Sequence, residues 1–480
     1  MKSIPTEQVI RRIQAENPWW KEPLDIGSNA IDLKQRGYFR VFNPLVNDLS
    51  VRRAILLMGP RRVGKTVLIH HVIQNLLADG VSPANICYLS VDHPIYNGLS
   101  LQDLLNLYVD ASGTDALKQQ LFVFFDEIQY LKYWEVHLKI LVDQYPNIRF
   151  IASGSAAAAL RLKSTESGAG RFTDFLLPPL TFHEYLELLE VDDLVEKSDV
   201  GWIKFNTPNI DKLNEYFLSY LNFGGYPEVI FSKTIQTDPG RFIKSDIIDR
   251  VLLRDLPSLY GIQDIQELNY LFTTLAFNTA NEVSLETLSK NSGVAKNTIK
   301  RYIEYLEAAF LIKVVHRIDR NAKQFKRRNF FKVYLTNPSM WSALFETISP
   351  DGKEIGALAE TGIFSQTFHS PAQRHYARWQ NGEVDIVGLG STQKPQWAVE
   401  VKWSDQFFKN PSKLKSLLNF CAHHKMKRVY VTSRTKQGKI DYKGFDIRFV
   451  PASLYCWIIG HNIVASAAKR ANIIVEPETW

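Results

Sequence analysis

The fold is decided by the stretch AILLMGPRRVGKTVLIHHVIQNLL, residues 54–77. Its first five residues, Ala54–Met58, form an apolar run that predicts a buried β-strand. After Lys65 the apolar residues recur at helical spacing, which predicts an amphipathic helix. The residues that link the two, Gly59 to Thr66, fit the phosphate-binding pattern G-x-x-x-x-G-K-[ST]. Strand, loop and helix in this order predict a nucleotide-binding P-loop.

The positions of this loop have distinct roles in binding phosphate. Backbone N–H groups at the start of a helix surround the phosphates, while the lysine contacts the β- and γ-phosphates and the hydroxyl binds Mg²⁺. Lys65 and Thr66 are expected to take these two roles, so ATP and Mg²⁺ are the expected cofactors. The expected nucleotide contacts are Gly59, Pro60, Arg61, Arg62, Val63, Gly64, Lys65, Thr66 and Val67.

A second apolar run, Leu121–Phe125, ends in the acids Asp126 and Glu127. Such a run is typical of a strand buried in a parallel sheet, and ligands collect at the carboxyl ends of these strands. Asp126 is therefore expected to hold Mg²⁺. Glu127 is expected to polarise the water that attacks the γ-phosphate.

A third apolar run, residues 148–152, precedes the sequence Ser153-Gly154-Ser155. A small polar side chain here could sense the γ-phosphate, so Ser153 or Ser155 is a candidate nucleotide contact; the alternative is that both are simple turn residues. Residues 87–91 predict one more strand. Strands that alternate with helical segments predict an α/β fold with a parallel sheet.

Composition limits the class of protein. A chain of 480 residues, with 45% hydrophobic and 22% charged residues, predicts several globular domains. No secretory signal is recognisable, and the apolar stretches are shorter than the ~20 residues that a membrane helix needs. A cytoplasmic protein without membrane contact is therefore expected. The three cysteines match neither a disulfide framework nor a zinc site, and the net charge of +7 is compatible with a nucleic-acid partner.

The chain resembles the AAA-type, archaeal-ATPase-like family, which is related to the STAND signalling ATPases. The resemblance rests on the P-loop, the two acids and the serine turn, and then on Gly170-Arg171, PLTFHEY at 179–185 and GGYPE at 224–228. It implies an ASCE-type parallel-sheet ATPase followed by a helical lid. It also implies that Arg171 reaches a γ-phosphate, in its own or in a neighbouring subunit of a homo-oligomer, and that Pro227 packs on adenine.

The middle of the chain has a helix-turn-helix pattern. Residues 284–288 and 293–302 predict two helices joined by a glycine-containing turn, with a strand after them. A basic segment follows, and a hairpin of this charge would suit a phosphate backbone. A winged helix that contacts DNA is one interpretation, and interdomain packing is the other. The basic residues are Lys313, Arg317, Arg320, Lys323, Lys326, Arg327, Arg328 and Lys332.

Two predicted strands near the C-terminus carry acids among apolar residues. Asp385 lies in the first strand, and Glu400 and Lys402 lie in the second, which makes the pattern D…E-x-K. Alternate residues of a strand point to the same face, so Glu400 and Lys402 can converge on one site. Buried acids are costly unless they bind a metal. Glu360, in a predicted helix over residues 354–368, could add a further metal ligand.

This C-terminal part looks like the PD-(D/E)XK endonuclease-like domain of unknown function that follows such ATPases. The resemblance implies that Asp385 and Glu400 bind Mg²⁺ and that Lys402 orients the attacking water, in metal-assisted phosphodiester hydrolysis. Tyr376 and Arg378 fit the aromatic-basic pattern of the family. The family's leading proline is absent, because Glu383 stands in that region. The alternative is a degenerate fold that binds or regulates without cutting.

The sequence therefore predicts an ATP-binding and ATP-hydrolysing protein whose nucleotide state controls a DNA-directed, metal-dependent nuclease-like domain. The alternative is an ATP-dependent regulatory switch that binds DNA or a protein partner and does not cleave. The predicted parts are an N-terminal segment (1–45), the P-loop ATPase core (46–190), a helical lid (191–280), a winged helix (281–345) and a restriction-endonuclease-like α/β domain (346–480).

Overall fold

A computed structural model describes the protein over residues 5–22, 33–154, 170–198, 202–324, 329–368, 370 and 374–470, without the side chains of residues 259, 469 and 470. The chain divides into two compact units. The first runs up to Pro178 and takes in the end of the last helix from Ser466. The second runs from Pro179 to Ala465.

A five-stranded parallel sheet forms the centre of the first unit. Its strands are β1 (Ala54–Met58), β2 (Ile86–Ser90), β3 (Leu121–Asp126), β4 (Ile148–Gly154) and β5 (Phe172–Leu176), in the order β2-β3-β4-β1-β5. Its helices are α1 (Thr6–Glu16), α2 (Phe39–Asn47), α3 (Lys65–Ala78), α4 (Leu101–Ser112) and α5 (Trp134–Gln144).

The burial of this sheet explains its continuous apolar runs. Every residue of β1, β3 and β4 is buried, as expected for central strands covered on both faces. Since all five strands run parallel, their carboxyl ends lie at one edge of the sheet. The loop after β1 and the acids at the end of β3 therefore lie at the same edge. The predicted parallel α/β fold of this part of the chain is confirmed.

The second unit begins with a mainly helical region. The helices of this region are α6 (Phe182–Leu188), α7 (Ile210–Phe223), α8 (Pro227–Phe231), α9 (Lys233–Thr237), the π-helical segments Gly240–Asp249 and Val251–Asp255, α10 (Leu256–Tyr260) and α11 (Ile265–Phe277). The remaining helices are α12 (Leu285–Ser292), α13 (Lys296–Ala308), α14 (Ser339–Leu344), α15 (Ile355–Ser365), α16 (Gln406–Lys409), α17 (Lys415–His423) and α18 (Ala452–Arg470).

A nine-stranded mixed sheet dominates the second unit. Its strands are β8 (Glu282–Ser284), β9 (Ile312–Ile318), β10 (Phe330–Leu335), β11 (Arg374–Trp379), β12 (Gly382–Leu389), β13 (Pro395–Glu400), β14 (Arg428–Ser433), β15 (Gly438–Tyr442) and β16 (Phe445–Pro451). The order is β15-β16-β14-β13-β12-β11-β9-β10-β8. A separate two-stranded sheet pairs β6 (Glu196–Lys197) with β7 (Phe205–Asn206).

One pairing in this sheet joins strands from two regions that the sequence analysis assigns to different domains, the winged helix and the C-terminal domain. Strands β9 and β11 lie parallel, with Tyr376 opposite Arg317 and Ala377 opposite Ile318. The strands around the helix-turn-helix pair, β8 to β10, thereby continue into the strands that carry Asp385 and Glu400. The predicted division at residue 345 thus runs through a continuous sheet. The predicted end of the ATPase core at residue 190 lies twelve residues beyond Pro178, where the first unit ends.

Across the ranges given above, no helix combines the length and the apolar character that crossing a bilayer requires.

Candidate functional site

The backbone of the P-loop packs tightly against β5. Leu177 donates its N–H to the carbonyl of Met58 at 2.8 Å, and a Cβ atom on Gly59 would lie 2.2 Å from the Leu177 carbonyl oxygen. Gly64 precedes α3 in a left-handed conformation, with φ +92°, which is costly for residues with a side chain. Both loop glycines are therefore required by the local backbone.

Two basic side chains tie the loop together. Lys65 is buried, and its ammonium donates to the carbonyls of Gly59 and Pro60 at 3.1 and 2.7 Å. Arg36, which the sequence did not single out, donates to the carbonyls of Val63 and Pro178 at 2.9 and 2.8 Å. Hydrogen bonds from Lys65, within the loop, and from Arg36, outside it, thus hold the loop backbone in place.

The carboxylate of Asp126 accepts hydrogen bonds from three hydroxyl groups. Thr66 donates to Oδ2 at 2.7 Å, and Tyr88 donates to the same oxygen at 2.8 Å. Ser153 donates to Oδ1 in a short contact. Asp126 is itself buried. The hydroxyl predicted to bind Mg²⁺ and the acid predicted to hold it are therefore in direct contact.

Glu127 adopts an unusual backbone conformation next to this acid. Its φ and ψ of +57° and +43° lie in the left-handed region, which is uncommon for a residue other than glycine. Its N–H donates to Ser153 Oγ at 3.1 Å, and the Gln129 amide donates to its carboxylate. Strained backbone of this kind concentrates at functional sites. The hydrogen bond to Ser153 thus holds the turn after β3 in this conformation.

Ser153 and Ser155 are the two serines for which the sequence leaves open a nucleotide contact or a simple turn role. Ser153 bridges Asp126 and the N–H of Glu127, so it belongs to the acid site. Ser155 lies outside the described residues. A role of either serine in sensing γ-phosphate stays a prediction.

Arg171, a further predicted nucleotide contact, is not brought to this site. Arg171 precedes the amino end of β5, whereas the P-loop follows the carboxyl end of the parallel neighbour β1, and its guanidinium pairs with Asp143 at 2.9 Å. Parallel strands of five residues separate the two edges by about 16 Å. Pro227 begins α8 in the second unit. Contact of Arg171 with a neighbouring subunit, and of Pro227 with adenine, stay predictions.

The ligand chemistry of the first site suits Mg²⁺. Mg²⁺ prefers hard oxygen ligands and is commonly held by one or two protein groups together with nucleotide phosphates. The Thr66 hydroxyl and the Asp126 carboxylate supply such oxygens, 2.7 Å apart, beside the phosphate-binding loop. These two residues are the ones that would hold the ion.

A second group of charged residues lies within the large sheet. We call it the acidic cluster: the carboxylates of Glu360, Glu383, Asp385 and Glu400 with the ammonium groups of Lys332 and Lys402. Helix α15 carries the first acid, β12 the next two, and β13 the fourth. The sheet brings together the four residues predicted for this region, Glu360, Asp385, Glu400 and Lys402.

Lys332 belongs to this cluster, whereas the sequence analysis assigns it to the basic segment after the helix-turn-helix pattern. It was counted among basic residues suited to a phosphate backbone, yet its side chain is 3% exposed. Its Nζ lies 3.0 Å from Glu360 Oε1, 2.8 Å from Glu383 Oε1 and 3.9 Å from Asp385 Oδ1. This buried lysine of β10 is therefore unavailable to DNA, which corrects that part of the interpretation.

Lys402 occupies the other side of the cluster. Its Nζ lies 2.9 Å from Glu400 Oε1 and 3.2 Å from Asp385 Oδ2. The N–H of Val401 donates to the same Asp385 oxygen at 2.8 Å. The E-x-K pattern therefore converges on Asp385, as the alternation of side chains along a strand predicts.

Two of the three glutamates in the cluster, Glu360 and Glu400, hold their protons more tightly than usual. Burial, with the nearby charge of Asp385, raises the pKa of Glu360 to about 7, although Lys332 opposes the rise. The same causes raise the pKa of Glu400 to about 8, opposed by Lys402. Among the residues that the structure describes, none donates a hydrogen bond to the buried Oε2 of Glu400. The negative charge of the cluster is thus incompletely compensated.

The predicted C-terminal metal ligands fit a cation only in part. The unpartnered oxygen of Glu400, beside Asp385, is suited to receive a cation. Glu360 instead accepts from Lys332 at 3.0 Å and from the Tyr334 hydroxyl at 2.6 Å. Within the described ranges, no three or more His, Cys, Asp or Glu side chains are arranged to hold a metal ion. Asp385 and Glu400 are the two acids that would do so.

The helix-turn-helix region exposes a mixed surface. Helix α13 carries exposed Lys296, Lys300 and Arg301. Lys296 pairs with Glu286 at 3.4 Å, and Lys300 lies 3.8 Å from Glu304. Acids therefore partly neutralise this face. The predicted basic residues at 326, 327 and 328 lie outside the described part of the chain.

Two parts of the chain match known family models. Residues 51–186 match a family described as an AAA domain, and residues 214–351 match a domain of unknown function, DUF8612. The first match contains the P-loop, both acids and β5, so the N-terminal part has a P-loop ATPase-like fold. The second match ends before Asp385, so the endonuclease-like interpretation of the C-terminal part is not supported by it.

Two of the proteins with similar sequences are uncharacterized. An uncharacterized protein of Methanocaldococcus jannaschii, MJ1544, is 24% identical over 346 residues, which is 71% of this chain and 73% of that protein. A second one from the same organism, MJ1637, is 26% identical over 54% of this chain and 56% of its own length. The Walker-type ATPase PABY2304 of Pyrococcus abyssi is 14% identical, with a TM-score of 0.39, over 66% of this chain and 99% of that chain.

Gly59→Ala is expected to weaken ATP binding. The new Cβ would overlap the Leu177 carbonyl, 2.2 Å away, and displace the loop from β5. We expect at least a roughly tenfold higher dissociation constant, or ~1.4 kcal/mol, in equilibrium binding of a fluorescent ATP analogue. The matched control is Gly80→Ala, since Gly80 also has a positive φ but open space around it. Equal affinities of the two variants would contradict the steric explanation.

Lys332→Met is expected to destabilise the second unit. Removing one partner of a buried ion pair leaves unpaired buried charge, which typically costs about 3–5 kcal/mol of unfolding free energy. Urea unfolding monitored by tryptophan fluorescence would measure the loss. Lys313→Met, on the neighbouring strand β9, is the control, because Lys313 forms a 2.8 Å ion pair with Glu307 of α13 but is 45% exposed. Adding Glu360→Gln to Lys332→Met should recover part of the stability.

Proposed function

We propose that this chain binds and hydrolyses ATP and that its nucleotide state controls the second unit. The observation that carries the proposal is the contact between the Thr66 hydroxyl and the Asp126 carboxylate at the edge where the P-loop ends. A phosphate-binding loop and a buried acid of this kind are the two parts that P-loop ATPases need. The match of residues 51–186 to an AAA domain supports the same activity.

In this proposal, each residue of the nucleotide site has a separate role in ATP hydrolysis. Amides of the loop and the Lys65 ammonium bind the phosphates, and Lys65 exchanges its carbonyl partners for phosphate oxygens. Thr66 and Asp126 would hold Mg²⁺, which would neutralise phosphate charge. Glu127 accepts a proton from the attacking water. The Gln129 amide, which donates to the Glu127 carboxylate, orients that base.

The acidic cluster is proposed as a metal-dependent phosphodiesterase site acting on DNA. The second oxygen of Glu400, Oε2, supports this role, because a buried carboxylate oxygen that accepts no hydrogen bond is costly unless it meets a cation. Asp385 and Glu400 would hold Mg²⁺, which supplies Lewis-acid activation of water. Lys402, between these acids, orients the attacking water. Exposed Lys296, Lys300 and Arg301 of α13 bind the DNA backbone.

A regulatory switch that binds DNA or a protein partner without cleavage is the second candidate. The observation that favours it is Lys332, whose ammonium pairs with Glu360 and Glu383 and so replaces a cation there. In that case the cluster stabilises the sheet between the helix-turn-helix strands and the C-terminal strands. The two candidates share ATP binding and differ in whether the cluster needs a metal.

Two substitutions separate ATP binding from hydrolysis. Lys65→Ala should lose most affinity for ATP, because the ammonium that meets the phosphates is gone. Glu127→Gln should bind ATP like the wild type but hydrolyse it at least ~100-fold more slowly, the usual scale for a general base. Equilibrium binding and phosphate release measure the two effects. Lys118→Ala, at an exposed lysine of the same unit, is the control. Normal ATP binding by Lys65→Ala would contradict the P-loop assignment.

A cleavage assay decides between the two candidates for the second unit. Full-length protein is incubated with DNA or RNA and Mg²⁺ or Mn²⁺, with and without ATP. The nuclease proposal expects metal-dependent cleavage that Lys402→Ala reduces by at least ~100-fold. Lys439→Ala, at a half-exposed lysine on β15, is the matched control. Wild-type protein that cleaves neither substrate under any of these conditions supports the switch and rules out the nuclease.

A further inference from the structure

Tyr88 connects the nucleotide site to an edge of the first unit. It lies on β2, the outermost strand of the parallel sheet, with its side chain buried. Its hydroxyl donates to Asp126 Oδ2 at 2.8 Å, the same oxygen that accepts from Thr66 at 2.7 Å. A tyrosine hydroxyl ordinarily carries its proton near neutral pH, so Tyr88 is the donor in this contact. Tyr88 is therefore a fixed donor to the proposed magnesium ligand.

The backbone of Tyr88 is held by the N-terminal arm, which we define as residues 6–20. Asn17 accepts from the Tyr88 N–H at 2.7 Å, and its amide donates to the Tyr88 carbonyl at 2.8 Å. The open side of an edge strand otherwise leaves such groups unpaired. Asn17 is fully buried and also donates to the Ile13 carbonyl, which ties it to α1. The arm thus holds Tyr88 through hydrogen bonds to both its N–H and its carbonyl.

The side chain of Tyr88 is fixed by rings from the arm and from α3. The His70 ring lies 4.8 Å from the Tyr88 ring, and the Trp19 ring lies 6.5 Å from His70. Trp19 also donates its indole N–H to the Ile86 carbonyl at 3.1 Å. Burial lowers the pKa of His70, which keeps this ring neutral near pH 7. Contacts of the arm therefore reach both the backbone and the ring of Tyr88.

From these contacts we propose that Tyr88 is a positioning residue for the Asp126 carboxylate, and that the N-terminal arm, acting through Asn17, controls magnesium-dependent nucleotide binding. The inference rests on the proposed ATP-binding function of this site. Without the Tyr88 hydroxyl, one oxygen of Asp126 loses a donor and the carboxylate gains rotational freedom. Residues that orient a metal ligand in this way typically contribute about 10–100-fold to metal affinity.

Magnesium-dependent ATP binding tests the role of Tyr88. In full-length Tyr88→Phe, we expect the Mg²⁺ concentration that gives half-maximal enhancement of fluorescent-ATP binding to rise roughly tenfold. Binding of the analogue without Mg²⁺ should match the wild type, since the loop is unchanged. A change confined to the metal-dependent step is not expected from a general loss of stability.

Tyr108→Phe is the matched control. Tyr108 is a buried tyrosine of the same unit, its hydroxyl donates to the Ala84 carbonyl at 2.7 Å, and its ring stacks on Trp20 of the arm. The substitution removes the same atom at a comparable structural cost but touches no residue of the nucleotide site. Its Mg²⁺ midpoint should equal that of the wild type. A shift as large as that of Tyr88→Phe would overturn the proposal.

A double-mutant cycle tests whether the arm acts through Tyr88. Asn17→Ala alone should raise the Mg²⁺ midpoint in the same direction as Tyr88→Phe. Because both substitutions then disturb one path, the double variant should be no worse than the more affected single variant. Multiplicative effects in the double variant would show that the arm acts on the site independently of Tyr88 and would overturn that part of the proposal.

The outcomes also separate this inference from the proposed function. If the wild type binds the ATP analogue and Tyr88→Phe responds to Mg²⁺ like the wild type, ATP binding stands and the role of Tyr88 falls. If the wild type binds the analogue but does not respond to Mg²⁺, the same conclusion holds. If the wild type binds no nucleotide, both the proposed function and this inference fall.

Discussion

The hydrogen bond between the Thr66 hydroxyl and the Asp126 carboxylate is the interaction on which the proposed nucleotide site depends. It exists because β1 and β3 run parallel in one sheet, so the loop after one and the acid ending the other meet at the same edge. Two residues that are 60 positions apart thereby touch. The apolar runs of these strands stabilise the fold, and the polar residues at their carboxyl ends meet at the edge of the sheet where ligands of parallel sheets bind.

The second unit has a different organising constraint. Its sheet combines strands from the helix-turn-helix region with strands that carry acids, and Lys332 crosses that seam to pair with Glu360 and Glu383. A buried ion pair is weak evidence for stability by itself, but breaking one is expensive. A domain that senses DNA and a site that acts on it, if both proposals hold, would therefore be mechanically coupled through a single sheet.

Much of the first unit could be predicted from the sequence. Continuous apolar runs predict buried parallel strands, and the pattern from Gly59 to Thr66 predicts the phosphate loop, because both depend on local chemistry. Tyr88 and Arg36 could not be found in this way. Tyr88 reads as one more apolar residue of a strand, and the segment around Arg36 has no pattern that places it beside the loop. Their contacts arise only when distant segments pack.

For the second unit the sequence determined which residues alternate along each strand, so Asp385, Glu400 and Lys402 were expected to converge. The tertiary structure alone decided what meets them. The sequence predicts Lys332 to be a surface cation, but β10 belongs to the same sheet as β12, and the Lys332 side chain is buried among the acids. Local sequence sets the direction of a side chain, whereas strand order sets its partner, because the order depends on contacts between residues far apart in the chain.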